Sequence, residues 1–212
     1  AAELFDVLVV NQVGAPVSAC AWADHFSASD AVRTLLLGTE APFDSLFRVE
    51  GESYLEALRV RLTDEPGDKL PTVRLPHEGP VRALAANPLN PNFAATGTDN
   101  GDVLVFDVFA TDPAGGGAGG GPVREQRCSP AVRLGGPTSR CCGIVWSAEV
   151  PGHVASCGAD SRICMWDLHT SGRAGGLFPT PAVRTIADVH GRQGAAALSL
   201  SPVPAGGGAL AA

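Results

Sequence analysis

The chain has 212 residues, 45% apolar and 17% charged, with a formal charge of −7 from 22 acids and 15 bases. This composition can bury a core, which argues against global disorder. It lacks the basic excess of a dedicated nucleic-acid binder, and no run of roughly 18 apolar residues marks a transmembrane helix.

No basic-plus-apolar leader opens the chain, and it begins on Ala1-Ala2 without methionine, so it reads as a segment of a longer protein. Helical spacing is scarce, and short β-type runs between turn residues dominate. In chain order these are residues 6–10, 17–22, 32–38, 54–62, 81–86, 92–97 and 102–108, then 142–146, 153–158 and 162–168. The expected fold class is therefore all-β. Residues 112–127 read as a Gly-rich insert around "AGGGAGGGP", and 203–212 as a low-complexity tail. The glycine run lacks the Lys-Ser/Thr and strand-to-helix setting of a phosphate loop.

Two stretches repeat: "HEGPVRALAANPLNPNFAATGTDNGDVLVFDV" from His77 and "GPTSRCCGIVWSAEVPGHVASCGADSRICMWDL" ending at Leu168. Aligning Phe106-Asp107 with Trp166-Asp167 sets His77 against Pro137 and Asn100 against Asp160. A partial third unit opens at His190. Without the Gly-rich insert the period approaches the about 40–45 residues of a WD-repeat blade, a four-stranded sheet covered by its neighbours around a central channel. The expectation is an incomplete β-propeller over residues 1–202, about three blades plus the start of a fourth of a seven-bladed ring. Its blades fall near 4–76, 77–133 and 134–187, and the next begins at 188–202. Open flanks in such a piece favour self-association.

In such repeats a His, a Ser/Thr, an Asp and a Trp share one buried hydrogen-bond network. One blade here offers His77, Thr96, Asn100 and Phe106, the other Ser156, Asp160 and Trp166, with Pro137 in the place of His. Neither set is complete, so apolar packing is expected to hold the blades. Asp107 and Asp167 read as strand-end residues, and Trp22, Trp146 and Trp166 as core aromatics.

The motifs H-E-G-x-V, N-P-x-x-P-N and G-D-V-L-V-F-D, with "LLLGTEA" and "VPGHVASCGADSRICMWDL", resemble the histone-binding WD-repeat family, the retinoblastoma-binding and chromatin-assembly-factor small subunits. The resemblance implies a nuclear, non-catalytic scaffold that needs no cofactor. Its implied partners are core histones and chromatin-complex subunits, bound without direct nucleic-acid or membrane contact. It also implies acids at the channel mouth for basic tails. Pro80, Arg140 and Ala195 or Ala196 stand at or beside those positions, leaving Glu78, Arg82 and Arg140 as the partner-binding candidates. The alternative is a generic WD-repeat adaptor of ubiquitin-ligase or ribosome-assembly type, cytoplasmic in that case, or a degenerate fragment that has lost histone binding.

Six cysteines, at 20, 128, 141, 142, 157 and 164, show no CxxC or Cys/His zinc spacing, so no metal site is expected and a reduced setting fits best. Cys157 and Cys164 read as small apolar strand residues, and the resemblance sets Cys141-Cys142 at a site that in the family faces the channel. No GxSxG, HExxH or paired-carboxylate pattern supports an enzyme.

Overall fold

The computed structural model describes residues 16–23, 32–40, 53–61, 72–77, 79–108, 123–125, 131–169, 180–189, 194–200 and 210–211. Every regular element among them is a strand. The run expected at 6–10 lies outside the described residues.

Four strands, β1 (Val17–Trp22), β2 (Val32–Thr39), β3 (Ser53–Arg61) and β4 (Thr72–His77), pair antiparallel in chain order. The second sheet runs β5 (Ala83–Ala86), β6 (Phe93–Gly97), β7 (Val103–Asp107) and β9 (Val132–Gly135). The third holds β10 (Cys141–Trp146), β11 (His153–Gly158), β12 (Ile163–Asp167) and β14 (Arg184–Ile186). A two-stranded ribbon, β15 (Ser199–Leu200) with β16 (Leu210–Ala211), follows.

Two sheets depart from the four-stranded expectation. β8 (Val123–Glu125) adds parallel to β4, and β13 (Thr180–Pro181) adds parallel to β9. In both cases the connection between the third and fourth strands of one sheet reaches back to the outer edge of the sheet before it. An edge strand with unpaired backbone groups is thereby covered. The Gly-rich stretch lies on the first of these connections, upstream of β8.

The side-chain alternation of a strand explains the packing. In β7, Leu104 and Phe106 face the first sheet and join a buried cluster with Leu36, Leu55 and Leu75. Val103 and Val105 face the third sheet and join Leu134, Trp146, Val154 and Trp166. A sheet buried on both faces needs apolar residues in unbroken succession, which is why this strand reads V-L-V-F. Each of these fully buried side chains contributes about 1.5–3 kcal/mol.

The sheets meet through a backbone contact that recurs three times. Val81 N–H donates to Thr39 O at 3.2 Å, Cys141 N–H to Thr98 O at 3.0 Å, and Ala195 N–H to Gly158 O at 3.1 Å. One residue before each acceptor stand Gly38, Gly97 and Cys157. A Cβ on Gly38 would run into the Val81 side chain, and one on Gly97 into that of Cys141. Where the second-strand residue is Gly, the incoming one is Val or Cys; where it is Cys, the incoming one is Ala. The two sides trade volume at constant spacing, as close packing demands.

Gly101 closes the second of these junctions. Its φ is +89°, and a Cβ there would collide with the carbonyl oxygens of Pro137 and Ser139. Gly79 has a similar φ of +92° but open space around it. Gly79→Ala should therefore cost only the left-handed penalty of about 1–2 kcal/mol. Gly101→Ala should cost more than about 3 kcal/mol, because backbone cannot yield as a side chain does. Urea denaturation of the two variants checks the difference.

Candidate functional site

Because the strands alternate in direction, the turns after each second strand and the connections after each fourth strand share one end of the sheets. Residues 38–40, 79–82, 98–102, 136–140 and 158–162 form this rim. Arg82 is its central group. Its guanidinium donates to both carboxylate oxygens of Glu40 on the first sheet, at 2.8 and 3.0 Å. It donates also to both oxygens of Asp99 on its own sheet, at 2.8 and 3.1 Å. Two bidentate charge-assisted pairs make an inter-sheet clamp. The hydrogen bonds to Asp99 hold the Arg82 pKa above its ordinary value, against the opposing effect of burial, with Glu40 adding to the rise.

Elsewhere on the rim Arg133 pairs with Asp102 at 3.1 Å and Arg162 lies 3.7 Å from Asp160, while Arg140 is exposed. Glu78 and His190 lie outside the described residues.

The two polar sets differ. At the second sheet His77, which ends β4 of the first, is buried with Nε2 2.8 Å from Thr96 Oγ1 and Nδ1 2.6 Å from Gly79 O. A carbonyl only accepts, so Nδ1 carries the proton, and in the neutral ring Thr96 donates to Nε2. Phe106 lies beside the ring, centroids 6.1 Å apart, with no N–H to add. Asn100 stays in the exposed turn.

At the third sheet Pro137 packs at Gly158 and offers no imidazole nitrogen for a hydrogen bond. Ser156 Oγ and Trp166 Nε1 are buried without a hydrogen-bond partner. Asp160 is engaged instead by Thr138, whose N–H and hydroxyl donate to Oδ2 at 2.7 and 2.8 Å. Burial alone would raise the Asp160 pKa, but the hydrogen bonds from Thr138 and from the Arg162 N–H bring it below the usual carboxylate value. Asp107 and Asp167 end their strands; Asp167 accepts from the His169 N–H at 2.9 Å and lies 3.8 Å from His153.

Trp146 and Trp166 are buried, and Trp146 Nε1 donates to Ala85 O at 3.1 Å across the sheets. Trp22, expected in the core, is 57% exposed, because β1 is the edge strand of the first sheet and no neighbouring sheet covers that residue among the described residues. Cys141, which opens β10, is buried at the second junction, and burial pushes its thiol up to about 12. Cys157 and Cys164 are buried on their strands, and burial raises both thiols.

The residues that the repeat alignment overlooked are Glu40, Asp99 and Thr138. A signal for the two acids was present: "GTE" (38–40) and "GTD" (97–99) occupy equivalent turns.

No family model matches the chain. Among solved structures it is similar to the WD40 domain of coronin from Toxoplasma gondii, with a TM-score of 0.50 at 15% identity. The match covers 73% of this chain and 32% of that one. The fold is that of a WD40 propeller. The three sheets are its blades, β1, β5 and β10 are their innermost strands, and the chain spans about a third of the neighbour's length.

Thr96→Val should destabilise the second blade by about 1–2 kcal/mol, since it removes the hydroxyl hydrogen-bonded to a buried His77 nitrogen. Ser156→Ala should be neutral or stabilising by up to about 1 kcal/mol, since it deletes an oxygen that already lacks a partner. Thermal denaturation of the two variants tests this opposite response at positions 60 residues apart in the alignment.

Proposed function

We propose that the chain is a non-catalytic WD-repeat scaffold whose partners are core histones and the subunits of chromatin-assembly or chromatin-modifying complexes, working in the nucleus. The motif resemblance supports the partner class. The observation that carries the reading is the Glu40–Arg82–Asp99 clamp, in which carboxylates from two blades grip one guanidinium. A basic tail presents the same group, so Arg82 occupies in cis the place that a partner's arginine takes in exchange. Convergent loops on a rigid sheet scaffold are a common setting for partner binding.

One observation favours the generic adaptor. Asp102 and Asp160 have cations of their own beside them, and Glu40 and Asp99 share Arg82, which leaves this part of the rim nearly charge-balanced.

A pull-down with core histones at moderate salt separates the readings. Wild type should enrich histones, and Arg82→Gln, which frees the Glu40 and Asp99 carboxylates, should enrich them several-fold more. No enrichment by either protein removes the histone reading and leaves the adaptor.

A further inference from the structure

The third blade carries a pair of thiols that none of the scaffold chemistry uses. At the start of β10 the register slips: Cys141 opposes Gly158 and Gly143 opposes Cys157, so Cys142 is the extra residue of a β-bulge facing Cys157. A bulge of this kind places the extra side chain beside that of the opposing residue. Cys142 and Cys157 accordingly belong to one apolar cluster on the outer face of the blade, with Ile163 and Ala195. Cys141 and Cys164 belong to the cluster on the other face.

The first blade shows how far a side chain at this bulge reaches. Its register slips at the same place, with Val17 opposite Thr39 and Ala19 opposite Gly38, which makes Ser18 the counterpart of Cys142 and Gly38 the counterpart of Cys157. Ser18 Oγ donates to Gly38 O at 3.1 Å and across the junction to Val81 O at 2.6 Å. The Cys142 thiol now donates to Arg140 O at 3.5 Å, and rotation about χ1 turns it toward Cys157. Gly143 is the residue directly opposite Cys157 and Cys142 is its neighbour in the bulge, so bringing the two Cβ atoms within the about 3.5–4.5 Å of a disulfide takes an adjustment of the bulge as well as of χ1.

We propose that Cys142 and Cys157 form a reversible intrablade disulfide that acts as a redox switch on the third blade junction. Cys157 Sγ–H donates to Ala195 O at 3.6 Å, in the segment that starts the next blade. Oxidation removes that proton, so the hydrogen bond is lost and residues 194–200 loosen from the blade. With a peroxide as oxidant, the half-exposed Cys142 is oxidised first, to a sulfenic acid with release of one water. The Cys157 sulfur then attacks the Cys142 sulfur, the S–S bond forms, the S–OH bond breaks, and the Cys157 proton leaves with the hydroxyl as a second water. Burial holds the Cys157 thiol up at about 11, which makes this second step slow at neutral pH and faster as pH rises.

The experiment treats the full chain with hydrogen peroxide, blocks free thiols, and combines non-reducing peptide mapping with hydrogen exchange. The expected result is a Cys142–Cys157 linkage and exchange at 194–200 faster by about two- to threefold, the loss of one weak thiol hydrogen bond. Both effects should reverse with dithiothreitol, vanish in Cys142→Ser and persist in Cys20→Ser. Linkage through other cysteines, no linkage, or a Cys142–Cys157 bond without a change at 194–200 would each overturn the proposal.

Discussion

The structure depends on one contact: a backbone N–H of the segment that leads into the next blade donates to the carbonyl at the end of the second strand of the blade before it. This bond brings the backbones of adjacent blades together, and a residue of matched volume must sit beside it. Gly38 and Gly97 leave room for Val81 and Cys141, while Cys157 meets only Ala195. The spacing is fixed by a hydrogen bond, so any change of volume on one side has to be answered on the other. Much of what distinguishes the blades can be traced to how each meets this condition. Gly101 takes a left-handed turn where carbonyls of the next blade leave no space for a side chain, and Ser161 holds the equivalent turn at φ 62° and accepts the Gly194 N–H at 3.0 Å.

Around that contact the polar groups are distributed unevenly. At the second blade a histidine, a threonine and the two-acid grip on Arg82 support the junction. At the third, Pro137 leaves Ser156 and Trp166 without hydrogen-bond partners, and Thr138 with Asp160 forms a bridge nearer the rim. Buried polar atoms without partners weaken a junction, because their lost hydration is not replaced. The third blade is thus stabilised chiefly by Trp166, Trp146, Val154 and Ile163. On the proposed function the rim that joins the blades also receives the partner, so partner binding and blade cohesion would compete for the same carboxylates.

The inner three strands of each blade were legible in the sequence as short apolar runs between turn residues, most clearly where burial on both faces leaves no polar position, as in β7. "VSACAW" and "HVASCG" correspond to β1 and β11 residue for residue, and the repeat offset of 60 residues puts Phe106 and Trp166 on equivalent strands. The outer strands were not legible. "TVRLPH", "VRLG" and "RTI" are short and mix charged with apolar residues, and the strands that cover β4 and β9 on their outer edges pair through the backbone alone, which leaves no mark on the side chains. The parallel fifth strands were less legible still: their residues pair through the backbone, and "VRE" and "TP" carry no β pattern. In the site, the His77–Thr96 pair follows from residue type and spacing. The Arg82 clamp does not, because Glu40 lies 42 residues away and becomes its neighbour only when two blades stack. Trp22 was misread for the opposite reason: Trp146, its equivalent on β10, is buried against the preceding sheet, whereas no sheet covers Trp22 among the described residues.

Hydrogen exchange at the three junction amides tests the account most directly. Val81, Cys141 and Ala195 donate between blades, so they should exchange as slowly as amides inside the sheets, such as those of Ala94 and Ala155. If these three amides exchange as fast as the exposed turn at Asn100 while the strands remain protected, the blades fold without docking, and the contact on which the rest of the structure was argued to depend is not formed.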